Sequence, residues 1–138
     1  MGFERFGVVC HTKDAKVSEF IDWLERGKVM ATRCRRCQTV YFPPKVDCPR
    51  CLVEDMEWVE ISGQEGELLS YTVVHYGPAG FEDKAPYTMG LAQFPPGVKV
   101  LALLPRDLPE DQLRVGMKVK VVPVKLPPDR ISYGLEPA

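Results

Sequence analysis

Two short cysteine pairs constrain this chain more than any other feature: Cys34-x-x-Cys37 and Cys48-x-x-Cys51, with residues 38–47 between them. Each pair sets two thiolates on one tight turn, and the intervening ten residues are enough for a hairpin that brings the two turns together. Four soft ligands then converge tetrahedrally, the geometry Zn²⁺ favours at Zn–S distances of ~2.3 Å, with no position left for water. The expected centre is therefore a structural zinc held by Cys34, Cys37, Cys48 and Cys51, with no catalysis at the metal. The spacing is somewhat shorter than the usual Cys₄ template, yet the doubled motif is a specific signal. Mononuclear iron fits the same four thiolates, and a redox-active dithiol uses the same pairs. Disulfides fit least, because cytoplasmic thiols stay reduced.

A length of 138 residues allows one domain, or two very small units sharing a core. Units below roughly 70 residues have marginal cores, so a metal staple in the first half supplies what burial cannot. Lys plus Arg total 18 and Asp plus Glu 19, a net charge of -1 that gives no global drive toward nucleic acid or an anionic membrane. No apolar run approaches ~18 residues, and MGFERFGVVCHTKD is charged too early for a signal peptide. Phe6 stands where a myristoylation motif wants Ser or Thr. The chain is expected to be cytoplasmic, without a membrane segment.

The expected fold class is mainly β: an N-terminal helix and Cys₄ zinc ribbon over residues 1–61, then a five-stranded OB barrel over 62–138. In DAKVSEFIDWLERGKV, Val17, Phe20, Ile21 and Leu24 form one apolar helical stripe, with Asp14 as N-cap, Gly27 as stop and Trp23 off the stripe's centre. The following KVMATRCRRCQTVYFPPKVDCPRC reads as strand, cysteine turn, strand, Pro-Pro break, cysteine turn. A linking strand around Met56 and Trp58 ends before Gly63 and Gly66. Beyond it, ELLSYTVVHY, APYTMGLAQF, VKVLALL, MKVKVVPVKL and RISYGLE are β-rich runs punctuated by Gly and Pro. RDLPEDQLRVG, between the third and fourth, suits a short helical turn, which matches the OB order; a generic antiparallel sandwich is the alternative. Pro123 requires an edge or bulge in its strand.

Arg33, Arg35, Arg36 and Arg50 crowd the cysteines, where they offset the charge of a metal tetrathiolate or form a small basic face for a phosphate group. Cys10 and His11 are adjacent in sequence, which points them to opposite faces of an extended segment and argues against a catalytic pair. His75, beside Tyr76, has no partner identifiable in the sequence. There is no nucleophile elbow, Gly-rich phosphate loop or HExxH motif, a pattern that favours a binding or scaffolding subunit.

From about Val17 onward the chain resembles a family of acyl-CoA-associated proteins that join a rubredoxin-like zinc ribbon to an OB-fold. The resemblance is carried by WLERGKVMATRCRRCQTVYFPPKVDCPRC, Trp58, GELLSYTVV, APYTMGLAQF and LRVGMKVKVV, most specifically by Phe42-Pro43-Pro44, Cys48-Pro49, Gly66-Glu67-Leu68 with Thr72, and Pro86-Tyr87. It implies a non-catalytic accessory subunit that docks on a thiolase-fold enzyme as a hetero-oligomer and helps bind or channel a CoA thioester. The partner then supplies the catalytic residues. The small subunit of a benzylsuccinate-pathway (aromatic) thiolase is one specific home; steroid-type or short-chain acetoacetyl-CoA systems fit the same residues. In FEDKAPY, Phe81 and Tyr87 are candidate flat contacts and Lys84 a phosphate-directed charge, with Arg36 a further acyl-CoA or partner-facing candidate. Gln38 departs from the family pattern, since glycine commonly follows the first cysteine pair and enters a left-handed turn freely. Two other classes use the same modules: a single-stranded nucleic-acid binder, disfavoured by the charge balance, and a rubredoxin-like electron carrier with iron in the four thiolates.

Overall fold

The structure, a computed structural model, describes residues 6–7, 16–79, 81, 83, 85–95, 97–127 and 129–138. The helix α1 (Glu19–Glu25) buries Phe20, Ile21 and Leu24. It ends where expected: Gly27 takes a φ of +86°, its N–H donates to the Leu24 carbonyl, and the Lys28 N–H reaches back to Trp23. That pair of bonds is a Schellman stop, which a glycine enters without a Cβ penalty. Ser18 is the N-cap, and Asp14 lies outside the described residues. Trp23 is half-buried, with the Arg26 guanidinium 5.1 Å and the Lys28 ammonium 5.6 Å from its ring centroid.

The ribbon is a three-stranded antiparallel sheet in the order β2 (Val40–Tyr41), β1 (Met30–Cys34), β3 (Met56–Glu60). The buried Thr32 in β1 fixes the loop that follows β2: its hydroxyl donates to the Lys45 carbonyl and accepts the Lys45 N–H, both at 2.9 Å. The second cysteine turn is thereby held against the first.

Five further strands, β4 (Gly66–Val74), β5 (Tyr87–Phe94), β6 (Val98–Leu103), β7 (Lys118–Leu126) and β8 (Arg130–Pro137), close a barrel in the order β4-β5-β6-β8-β7. That order is the OB topology, with one 3₁₀ turn at Glu110–Gln112 between β6 and β7. Alternation places Val98, Val100 and Ala102 of β6 and Val119 and Val121 of β7 inside. Pro123 pairs across to Tyr133, while β7 meets β4 only at Val119 and Lys118, so the proline lies where β7 has no second ladder. Gly66 opens β4 where a Cβ would come within 2.7 Å of the Gln93 carbonyl oxygen and the Phe94 ring, a close approach that only glycine permits.

β6 and β8 meet in parallel at a single residue pair, Leu103 with Gly134. The backbones are close there: a Cβ on Gly134 would lie 3.2 Å from the Leu103 carbonyl oxygen. Farther along the same strand, Phe6 bridges Ile131 in parallel and the Gly7 N–H donates to the Ile131 carbonyl at 2.9 Å. One core cluster runs from Phe20, Ile21 and Leu24 through Val29, Ala31 and Ile61 into the barrel interior. Ribbon and barrel thus share a core. Among the described residues, no helix is long and apolar enough to cross a membrane.

Candidate metal centre and barrel groove

Two backbone turns of the same design carry the cysteines. Cys34 ends β1, its N–H donates to the Thr39 carbonyl at 2.9 Å, and the Gln38 N–H returns to the Cys34 carbonyl at 2.8 Å. The second turn repeats this: the Cys48 N–H reaches Val53 at 3.0 Å and the Leu52 N–H returns to Cys48 at 2.8 Å. Gln38 has a φ of +64° and Leu52, at the same offset after its pair, +59°. The sequence reading singled out Gln38 and missed Leu52, although its equal spacing from Cys48 was the available signal. Leu52 is 84% exposed.

The turns bring all four Sγ atoms within 4.8 Å of one another. Cys34 lies 3.8 Å from Cys51 and Cys37 lies 3.6 Å from Cys48. A tetrahedron with arms of ~2.3 Å has edges of ~3.8 Å, so the donor set fits a tetrahedral M(Cys)₄ ion. The first cysteine of each turn is buried and the second half-buried.

Hydroxyl groups approach two of the sulfurs. Thr39 Oγ1 lies 3.2 Å from the Cys37 sulfur, and the Thr39 hydroxyl and N–H pull the Cys37 thiol below its usual range. The Tyr41 hydroxyl lies 3.3 Å from the Cys48 sulfur. It draws the Cys48 thiol down to about 6, and the same contact pushes Tyr41 up to about 12. Cys51 is pushed up to about 12, first by its contact with the Cys37 thiol, then by burial and by Cys34. Neither Thr39 nor Tyr41 was singled out from the sequence, because a hydroxyl two residues beyond a cysteine or within a strand carries no motif.

The arginines divide. Arg33 pairs with Glu57, Arg35 with Asp55 at 3.3 Å and Glu57 at 3.6 Å, and Arg36 with Asp55 at 3.8 Å. The Arg33 guanidinium beside Glu57 holds that carboxyl below its usual range. These three side chains answer carboxylates of β3 and its approach, which the sequence reading did not pair with them. Arg50 instead donates to Thr39 Oγ1 at 3.3 Å and so reaches the sulfur cluster through a hydroxyl.

A groove of about 530 Å³ opens along the barrel where β6 and β8 scarcely pair. Phe81 and Tyr87 line it together, their ring centroids 5.6 Å apart, with Leu103, Val124, Leu126 and Tyr133. Arg106 lines it as well, and burial pushes the Tyr133 phenol up. Lys84, Cys10 and His11 lie outside the described residues. Arg36 is exposed on the ribbon and is absent from this groove's lining. His75 falls just past β4 and is exposed, and Tyr76 is 92% exposed.

Ribbon, cysteine cluster and barrel define a protein of the zinc-ribbon and OB-fold class. Residues 24–57 match the family model described as the ChsH2 rubredoxin-like zinc ribbon domain, and residues 58–124 match the ChsH2 C-terminal OB-fold domain. A DUF35 domain-containing scaffold protein of Methanocaldococcus jannaschii is 34% identical over 115 residues, 80% of each chain. The chain belongs to this DUF35 family of ribbon and OB-fold scaffold proteins. It is also similar to the benzoylsuccinyl-CoA thiolase subunit BbsA of Thauera aromatica, 35% identical over 72 residues, 52% of this chain and 48% of that one. Among solved structures it is similar to a chain of the Ltp2-ChsH2(DUF35) aldolase, with a TM-score of 0.67 and 28% identity over 85% of this chain and 92% of that one.

Proposed function

We propose that this protein is a non-catalytic accessory subunit that docks on a thiolase-fold enzyme and contributes an apolar groove to the binding or channelling of a CoA thioester. The observation that carries the reading is the pairing of Phe81 and Tyr87 on one open groove in a chain similar to a thiolase subunit. The aldolase relative supports it, because aldolases and thiolases both make or break carbon–carbon bonds. Apolar walls with few polar groups suit the pantetheine or acyl part of a thioester, and Arg106 offers the groove a cation for an anionic group. The partner supplies the reacting cysteine and bases.

In this reading Cys34, Cys37, Cys48 and Cys51 hold a zinc ion whose role is to fix the ribbon. When bound, the ion supplies cross-linking and no chemistry. The engagement of Arg33, Arg35 and Arg36 by Asp55 and Glu57 weighs against a basic nucleic-acid face on the ribbon.

The test is acyl-CoA affinity of the assembled complex, comparing wild type with Phe81→Ala, Tyr87→Ala and Lys84→Ala. Weakened binding with the complex intact supports the groove. Unchanged affinity in all three contradicts its assignment.

A further inference from the structure

The groove beside β8 carries an uncompensated positive charge. Among the described residues, Arg106 and Glu136 are the charged side chains that line it. Glu136 is answered from the neighbouring strand: Lys120 stands opposite it in the β7–β8 ladder, with Nζ 3.2 Å from its carboxylate. Arg106 has no such answer, and among the described residues its side chain makes no ion pair and no hydrogen bond. Its place is fixed by the backbone. β6 ends at Leu103, opposite Gly134; the Leu104 N–H then donates to the Thr88 carbonyl at 2.9 Å, and a turn closes with the Leu108 N–H donating to the Pro105 carbonyl at 3.2 Å. Arg106 sits in that turn, exposed, at the edge of a wall that includes Leu103, Val124 and Leu126. Ser132 and Tyr133 bring hydroxyl groups to the same lining, and burial keeps the Tyr133 phenol protonated.

A guanidinium is charged throughout the physiological pH range, and its planar fork matches the two oxygens of a carboxylate. An anion that enters apolar surroundings gives up hydration and needs a fixed counter-charge there. A single cation at the edge of an apolar groove therefore suits a chain that is apolar along its length and carries one negative charge. The phosphates of CoA match less well, because multiply charged groups are held by several cations or by the N–H groups of a helix N-terminus. Arg106 is the one cation on the groove's lining among the described residues. We propose that Arg106 reads a free carboxylate on the acyl part of the ligand, so that the thioester served by this groove is that of a dicarboxylic acid. This rests on the groove reading above and adds the substrate class to it. Arg106 is a specificity-determining residue in this scheme and takes no part in bond making or breaking.

The assembled complex holding the full-length chain is titrated with hexanoyl-CoA and adipoyl-CoA, whose acyl chains have the same number of carbons and end in a methyl group and a carboxylate respectively. Adipoyl-CoA is expected to bind more tightly, and Arg106→Gln to lose about tenfold in affinity for it while staying within about twofold for hexanoyl-CoA. Arg106→Lys, which keeps the charge without the fork, is expected to fall between wild type and Arg106→Gln. An equal loss for both thioesters would assign the cation to a phosphate of CoA and overturn the proposal. Unchanged adipoyl-CoA affinity in Arg106→Gln would overturn it as well. Either result leaves the groove reading standing, since thioester is still bound. A wild-type complex that binds neither thioester removes the groove reading and the proposal together.

Discussion

The Phe42 ring meets Tyr133 edge-on with centroids 5.0 Å apart, joining the loop between the two cysteine turns to the last barrel strand. Phe20 contacts both rings, at 5.9 Å and 6.0 Å. Tyr133 also lines the groove, so the ribbon and the groove share a wall.

Phe20 is 2% exposed at the centre of that contact. Truncating a buried phenylalanine removes its transfer energy and leaves a cavity, so Phe20→Ala is expected to cost ~3–5 kcal/mol. Chemical denaturation measures it. A loss below ~1 kcal/mol would mean that ribbon and barrel are held together elsewhere.

Cys34→Ser removes a buried thiol from the four-cysteine cluster proposed to hold the metal. Because metal binding is coupled to folding, the variant is expected to lose its ion and several kcal/mol of stability. Metal analysis and thermal melting read both; full metal with an unchanged Tm would refute the assignment of Cys34.

Gly66→Ala places a methyl group against the Gln93 carbonyl and the Phe94 ring at 2.7 Å. Backbone and a buried ring give little ground, and the expected cost is ~1–3 kcal/mol by denaturation. A neutral result would show that β4 shifts freely.

Glu57 has its carboxyl lowered, first by the hydrogen bond from Arg33 and further by Arg35. A carboxyl depressed in the folded state stabilises it above the unfolded value of ~4.3, and that contribution is lost as pH falls through the folded value. Glu57→Gln is therefore expected to melt below wild type at pH 7, with a gap that is constant down to about pH 5 and narrows below ~4. Melting both proteins across that range checks the sign. A gap that widens on acidification contradicts it.

The barrel strands were legible because Gly and Pro punctuate them and burial alternates along them, as in β6 and β7. The helix stop at Gly27 and the left-handed Gln38 followed from local backbone chemistry. What the sequence concealed depends on distant pairing. The parallel contact of Leu103 with Gly134, the bridge from Phe6 to Ile131, and the carboxylates of Asp55 and Glu57 facing Arg33, Arg35 and Arg36 leave no periodic trace. The groove was partly visible. FEDKAPY supplied Phe81 and Tyr87, while Val124, Leu126 and Tyr133 come from strands about forty residues later that only closure of the barrel brings to them.

The central claim is tested most directly by purifying the tagged protein from its native host, identifying its stoichiometric partner by mass spectrometry and measuring metal and acyl-CoA binding on the same sample. The account predicts a thiolase-fold enzyme, one zinc per copy of this chain, and acyl-CoA binding weakened by Phe81→Ala and Tyr87→Ala. Recovery of nucleic acid, or of a red iron protein that cycles reversibly with no enzyme partner, would contradict it.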